Sequence, residues 1–93
     1  SPAVEHDLAI VVDNSVTCED LERRITSAGG KLLEGVRLFD VYRDPIRIGA
    51  GKKSMAFSLT YRAADRTLTV EECDKAIEKA LKALSQYGIT LRA

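Results

Sequence analysis

Histidine is nearly absent from this 93-residue sequence, where His6 stands alone, and cysteine occurs only twice, at Cys18 and Cys73. The cysteines make no C-x-x-C pair. One histidine and two distant thiols supply no spaced zinc pattern, so no metal site is expected. The thiols read either as two buried free cysteines or as a disulfide; the free form points to a reducing compartment and a cytoplasmic location. Net charge is also missing, with 14 basic against 14 acidic side chains. The overall balance gives no argument for nucleic acid, and any basic footprint has to be local. No apolar run approaches the roughly 18 residues of a membrane helix, and no stretch has the pattern of a signal peptide. Repeats, low-complexity segments and an internal linker are lacking too. The sequence starts at Ser1 without an initiator methionine, which suggests an excised domain spanning 1–93.

One segment imitates a phosphate loop but lacks its parts. Gly49 to Ser54 reads GAGKKS, whereas a Walker A loop requires G-x-x-x-x-G-K-[ST] leading into a helix. Ile46 occupies the place of the first glycine and Lys53 that of the Ser or Thr. The residues that follow, SMAFSLTYR, alternate as a strand does. Nucleotide binding at this loop is therefore not expected, and Lys52 and Lys53 need another role.

What the chain does contain is enough apolar residue, 45%, for one small two-layer core. Asp7–Val12 (DLAIVV) reads as a short strand with Leu8, Ile10 and Val12 on one face and Ala9 on the other. Asp13-Asn14-Ser15 is turn chemistry. Thr17 is a helix cap, and Cys18, Leu21, Ile25 and Ala28 form an apolar stripe that ends at Gly29-Gly30. A long strand follows from Leu32 to Arg43. Simple alternation puts Leu33, Phe39 and Val41 toward the helices, and Val36, Leu38, Asp40 and Tyr42 on the opposite parity. After a loop, Lys52–Arg62 is a second long strand in which Met55, Phe57, Leu59 and Tyr61 alternate with Ser54, Ala56, Ser58 and Thr60. Thr69-Val70-Glu71-Glu72 is a capping box. It opens a helix carrying Cys73, Ile77, Ala80, Leu81 and Leu84 on one face. Gly88 closes this helix, and Ile89–Arg92 forms a last short strand.

This order, βαββαβ, predicts an α+β ferredoxin-like fold. The sheet has four antiparallel strands in the order 4-1-3-2, with both helices on one face. The other face is open. It is expected to present Ala9, Asp40, Tyr42, Ser54, Ala56, Ser58 and Thr60, a shelf of small residues beside one aromatic and one carboxylate. Arg43, Arg47, Lys52 and Lys53 gather at its rim. Two readings stay open from the residues alone: an ordinary solvated face with a solvated hairpin tip, or a shelf for a flat group with cations holding a polyanion beside it.

Three motifs in this order, DLAIVV, LFDVYR followed by a loop and GKKSMAFSLTYR, and DRTLTVEE, resemble the ferredoxin-fold anticodon-binding domain. That domain is found at the C-terminus of the bacterial phenylalanyl-tRNA synthetase beta subunit. The resemblance runs from about Val4 to Arg92. It implies a non-catalytic piece, taken from the C-terminus of a larger chain, that grips the anticodon of phenylalanine tRNA. Catalysis with ATP, magnesium and phenylalanine would lie on the alpha subunit, and the isolated domain would be a monomer that binds no cofactor. It further implies that the first anticodon base lies beside Ala9 and stacks on Tyr42, with polar contacts from Asp40 and Ser54. Arg43, Arg47, Lys52 and Lys53 would meet phosphates. Glu5 and His6 stand where the family commonly has arginines, so a backbone contact there is not expected. Arg66 reads as a loop former or a phosphate contact.

Rival classes on the same topology lack their parts. A regulatory module of the ACT type would want a glycine turn after the first strand, where Asp13-Asn14-Ser15 stands. An acylphosphatase-type enzyme needs an arginine cradle after the first strand, and Asn14 has no such neighbour. A metal-carrying module needs C-x-x-C. A small regulatory or protein-interaction module without RNA binding remains as the alternative.

Overall fold

The computed structural model describes residues 2–92; the expected domain bounds at Ser1 and Ala93 lie outside the described residues. The elements are β1 (Val4–Asp13), α1 (Cys18–Gly29), β2 (Leu33–Tyr42), β3 (Lys52–Tyr61), α2 (Val70–Ser85) and β4 (Thr90–Leu91). All strands pair antiparallel, in the order β2-β3-β1-β4. This is the expected 4-1-3-2 arrangement. β1 begins three residues earlier than its hydrophobic core suggested, because Val4, Glu5 and His6 continue the ladder against Tyr61, Thr60 and Leu59.

Each helix starts where its cap dictates. The Thr17 hydroxyl accepts from the Asp20 amide at 3.2 Å. Thr69 and Glu72 form a reciprocal capping box, each side chain accepting the other's backbone N–H, so two orphan donors are satisfied at once. Arg66 is bound to the Asp65 and Glu72 carboxylates, which places it in the loop that leads into this box. The stripes then bury Leu21 and Ile25 from α1, and Cys73, Ile77, Ala80 and Leu84 from α2, against Leu8, Ile10 and Val12 of β1 and Met55, Phe57, Leu59 and Tyr61 of β3. Cys18 and Cys73 are free thiols; burial is the main cause that pushes the Cys73 thiol up, and a hydrogen bond to Glu22 raises that of Cys18.

The second strand departs from simple alternation. Its ladder with β3 shifts register between Leu33 and Gly35 and again between Leu38 and Asp40, so Glu34 and Phe39 are extra residues. Each bulge reverses the parity of what precedes it. Val36 and Leu38 therefore oppose Leu59 and Phe57 and pack on the core, contrary to the parity expectation. Phe39, expected to point toward the helices, is 47% exposed. It turns to the open side, where the Arg37 guanidinium lies 6.0 Å from its ring centroid. Val41 opposes Met55 on the helix side as expected, though at the sheet edge it stays 38% exposed. Asp40 and Tyr42, beyond the second bulge, oppose Ala56 and Ser54 on the open side.

The β2–β3 loop is built around one carboxylate. Asp44 accepts from the Ile46 and Arg47 amides at 2.9 and 3.0 Å and from the Tyr42 hydroxyl at 3.1 Å. Its backbone carbonyl takes the Ile48 and Gly49 amides. Gly49 and Gly51 then turn the chain back with φ of 124° and 72°, a region closed to most side chains. The glycines of GAGKKS thus serve a hairpin turn.

Phe57→Ala should cost about 3–5 kcal/mol of folding free energy as a core truncation. Phe39→Ala should cost well under about 1 kcal/mol, in the range of surface changes; chemical denaturation of both variants reads the difference. A second expectation concerns acid. The Arg47 and Ile46 amides, followed by the Tyr42 hydroxyl, hold the Asp44 carboxyl below its ordinary value of 3.8. A depressed folded-state pKa means that the stabilisation is complete above the ordinary aspartate value and is lost as pH falls through the lowered one. NMR signals of the Ile46 and Arg47 amides should keep their native positions down to about pH 4 and move below it. In Asp44→Ala they should be displaced already at neutral pH, with no further acid transition.

Candidate nucleic-acid interface

The open face is organised by the ladders into rows running across the sheet. One row is Asp40, Ala56 and Ala9; the next is Tyr42, Ser54 and Val11. Directly opposed residues of antiparallel strands have Cβ atoms about 4.5–5.5 Å apart. Ala9, Asp40, Tyr42 and Ser54, widely spaced in the chain, are therefore brought into one contiguous patch. Its floor is low because Ala9, Ala56 and Ser54 carry only methyl and hydroxymethyl groups, with Val11 beside Ser54 at one margin. Its walls are the Tyr42 ring and the Asp40 carboxylate, both on β2. The Tyr42 hydroxyl is tied to Asp44, so the ring is held at its far end rather than free to sweep.

A residue that the motif reading did not include completes this patch. The backbone N–H of Arg92, just past β4, donates to the Ala9 carbonyl at 3.0 Å. From there its guanidinium reaches to 4.8 Å from the Tyr42 ring centroid, a cation–π distance. β1 and β3 lie between the Arg92 backbone and β2, so the guanidinium and the Tyr42 ring meet above the small floor between them. Ser54, beside Tyr42 in this row, is only 2% exposed although it lies on the side away from the helices. A signal for Arg92 existed in the chain. In the last strand Thr90 opposes Val11 and Leu91 opposes Ile10, so the next residue falls on the open side.

The basic rim differs from expectation at one position. Lys52 is exposed and opposes Asp13; Arg47 is exposed in the loop. The Arg43 guanidinium donates to the Asn14 side-chain oxygen at 2.8 Å, which joins the loop to the β1–α1 turn, and the Asn14 amide donates to the Gly51 carbonyl. Lys53 does not belong to this set. It opposes Val12, shares the parity of Met55 and Phe57, and is 8% exposed on the helix side. The alternation of β3 carried this information, since Lys53 and Met55 are two apart. Lys52 and Lys53 both help to lower the Asp13 carboxyl, behind the larger effect of its bonds from Ser15.

The arrangement offers an aromatic face, a carboxylate acceptor and cations at one rim, over a floor too small to obstruct a planar ring. Among the described residues no cluster of His, Cys, Asp or Glu is placed to hold a metal ion, and no helix is long and apolar enough to cross a membrane.

Comparison with known proteins gives the family. The model of the ferredoxin-fold anticodon binding domain family matches residues 1–92. The chain is 50% identical over 93 residues to the phenylalanine–tRNA ligase beta subunit of Corynebacterium diphtheriae, covering 99% of this chain and 11% of that protein. It is 50% identical over 92 residues to the beta subunit of Symbiobacterium thermophilum, covering 99% and 10%. The beta subunit of Bacillus subtilis is likewise 50% identical over 92 residues, covering 98% and 11%. The chain spans about a tenth of the length of these relatives. By sequence match over nearly its whole length, and by a fold and topology that agree, the chain belongs to the ferredoxin-fold anticodon-binding domain family.

Proposed function

We propose that this domain holds the anticodon of phenylalanine tRNA on its open sheet face, as part of the beta subunit of a cytoplasmic phenylalanine–tRNA ligase. The observation that carries the reading is the convergence of Ala9, Asp40, Tyr42 and Ser54 into one small-floored patch. Aminoacylation, with its ATP, magnesium and phenylalanine, takes place elsewhere in the parent enzyme, on the alpha subunit. This domain contributes binding energy and discrimination, and on its own it is a monomer.

The chemistry follows from the residue types. Unstacked RNA bases are recognised by stacking on aromatic rings and by hydrogen bonds to their exposed edges. A base laid over Ala9 and Ala56 meets the Tyr42 ring, and in doing so takes the place that the Arg92 guanidinium fills in the free domain. The Asp40 carboxylate accepts from the N1–H and N2–H₂ groups of guanine, so a guanine is favoured there. Arg43, Arg47 and Lys52 face phosphates, which position the strand without reading it.

Tyr42→Ala should weaken tRNA binding by the reconstituted synthetase by about 1–3 kcal/mol and leave the melting temperature nearly unchanged. Asp40→Ala should lower affinity mainly for the guanine-containing anticodon and so narrow the gap between matched and mismatched tRNAs. Equal losses for both would remove the edge contact from the reading. For the rim, Lys52→Ala should flatten the log–log salt dependence of binding by roughly 0.7–0.9. Lys53→Ala should leave that slope unchanged and show itself in stability instead. Titrations of both variants at several salt concentrations provide the check.

A further inference from the structure

Phe39 is the second aromatic of the open face, and the anticodon reading gives it no work. A single exposed apolar side chain is ordinary, but this one is placed by a bulge, and bulges re-aim side chains at binding sites. The register shift between Leu38 and Asp40 turns Phe39 out on the same side as Asp40, opposite Ala56. Its ring is 47% exposed. Arg37, one residue before Leu38, faces the same side opposite Ser58, with its guanidinium 6.0 Å from the ring centroid. Among the described residues Arg37 forms no ion pair with a carboxylate. A bare ring thus stands beside an unpaired planar cation, next to the Asp40–Tyr42 patch.

We infer that Phe39 and Arg37 form a second nucleobase subsite, which takes an unpaired base adjoining the one held on Tyr42. The inference rests on the proposed anticodon reading of the Tyr42 patch. Aromatic rings and guanidinium planes are the two surfaces on which splayed RNA bases stack, and stacking of this kind is tolerant of base identity because every base has a π-face. Phe39 and Asp40 share the row of Ala56, two positions from the Ser54 row of Tyr42, so the two rings are rooted about 7 Å or more apart along the strand. Bases stacked on each other are about 3.4 Å apart, so the two platforms take two bases pulled apart and not a stacked pair. The charges on this part of the face set the direction. Asp7 lies in the same row as Arg37 across Ser58, and Glu5 lies in the row of Gly35 across Thr60. These carboxylates disfavour phosphate over β1, and Arg37 favours it at the outer edge of β2. The sugar–phosphate chain therefore runs along that edge with its bases turned inward.

The test uses the full synthetase and tRNA carrying 2-aminopurine at one anticodon position at a time, since stacking quenches its fluorescence. Phe39→Ala should relieve quenching at one position next to the position relieved by Tyr42→Ala. It should also weaken tRNA binding by roughly 5- to 150-fold. Phe39→Trp should restore both, and Arg37→Gln should weaken binding with the salt dependence flattened. If Phe39→Ala changes neither quenching nor affinity while Tyr42→Ala changes both, the second subsite is wrong and the Tyr42 patch stands. If neither variant has an effect, the anticodon reading fails together with it. If Phe39→Ala acts only by dissociating or unfolding the synthetase, with Phe39→Trp no better, the ring is a protein contact and the inference is overturned.

Discussion

The register of β3 is the constraint on which the rest depends. It is paired against β1 over all ten of its residues and against β2 from Ser54 to Tyr61, with two interruptions. Its helix-side residues Met55, Phe57, Leu59 and Tyr61 form the centre of the core. The intervening Ser54, Ala56, Ser58 and Thr60 form the floor of the open face. A slip of one residue would exchange these sets, putting serines under the helices and a phenylalanine and a methionine on the surface. The hydrophobic requirement of the core thus dictates the smallness of the floor's position in space. The site inherits its flatness from a strand that folding cannot allow to move.

That coupling explains what could be read from the chain. Strict alternation in β3, apolar stripes between threonine caps and glycine ends, and a turn at each junction agree with one another, and the strand order follows from them. The second strand was legible only in part. Gly35 is the kind of residue that accompanies a bulge in a strand, and the first interruption lies beside it. The second, at Phe39, has no such mark. It carries no glycine, and its trace is a change of apolar parity, from Val36 and Leu38 to Val41, which simple alternation from Phe39 reads the wrong way, with Arg37 inward. Asp40 and Tyr42 were placed correctly because they lie beyond the last bulge, whereas Val36 and Leu38, before it, were inverted. An extra residue in a ladder is a property of the pair of strands, so composition along one of them does not disclose it.

The lysines teach a related lesson about charge. Lys52 and Lys53 are adjacent in sequence and alike in charge, yet adjacent strand residues point to opposite faces. Lys53 is on the helix side, where its long stem covers apolar surface. The cations that the ladders put on the open side come from farther apart in the chain: Arg37 from β2, Lys52 from the start of β3 and Arg92 from just past β4, while Arg43 and Arg47 lie in the β2–β3 loop. A net charge of zero is therefore compatible with a locally basic rim, because acidic residues such as Glu71, Asp74 and Glu78 belong to a helix on the far side.

The Arg92–Tyr42 contact bears on how such a face can be stable when empty and still bind. An exposed aromatic ring above a floor of small residues would leave apolar surface in water. The guanidinium covers it and loses little hydration in doing so, since its charge stays at the surface. A cation–π pair of this exposed kind contributes about 0.5–1 kcal/mol, whereas a base stacked on one aromatic contributes about 1–3 kcal/mol. For the proposed anticodon contact, displacing the arginine would cost less than the base returns, and the cation would stay near the strand because its backbone is pinned to Ala9. The contact is strong enough to keep the ring in place and weak enough to yield. On the proposed function, the side chain that covers the Tyr42 ring would yield to a base and keep its positive charge at the edge of the shelf.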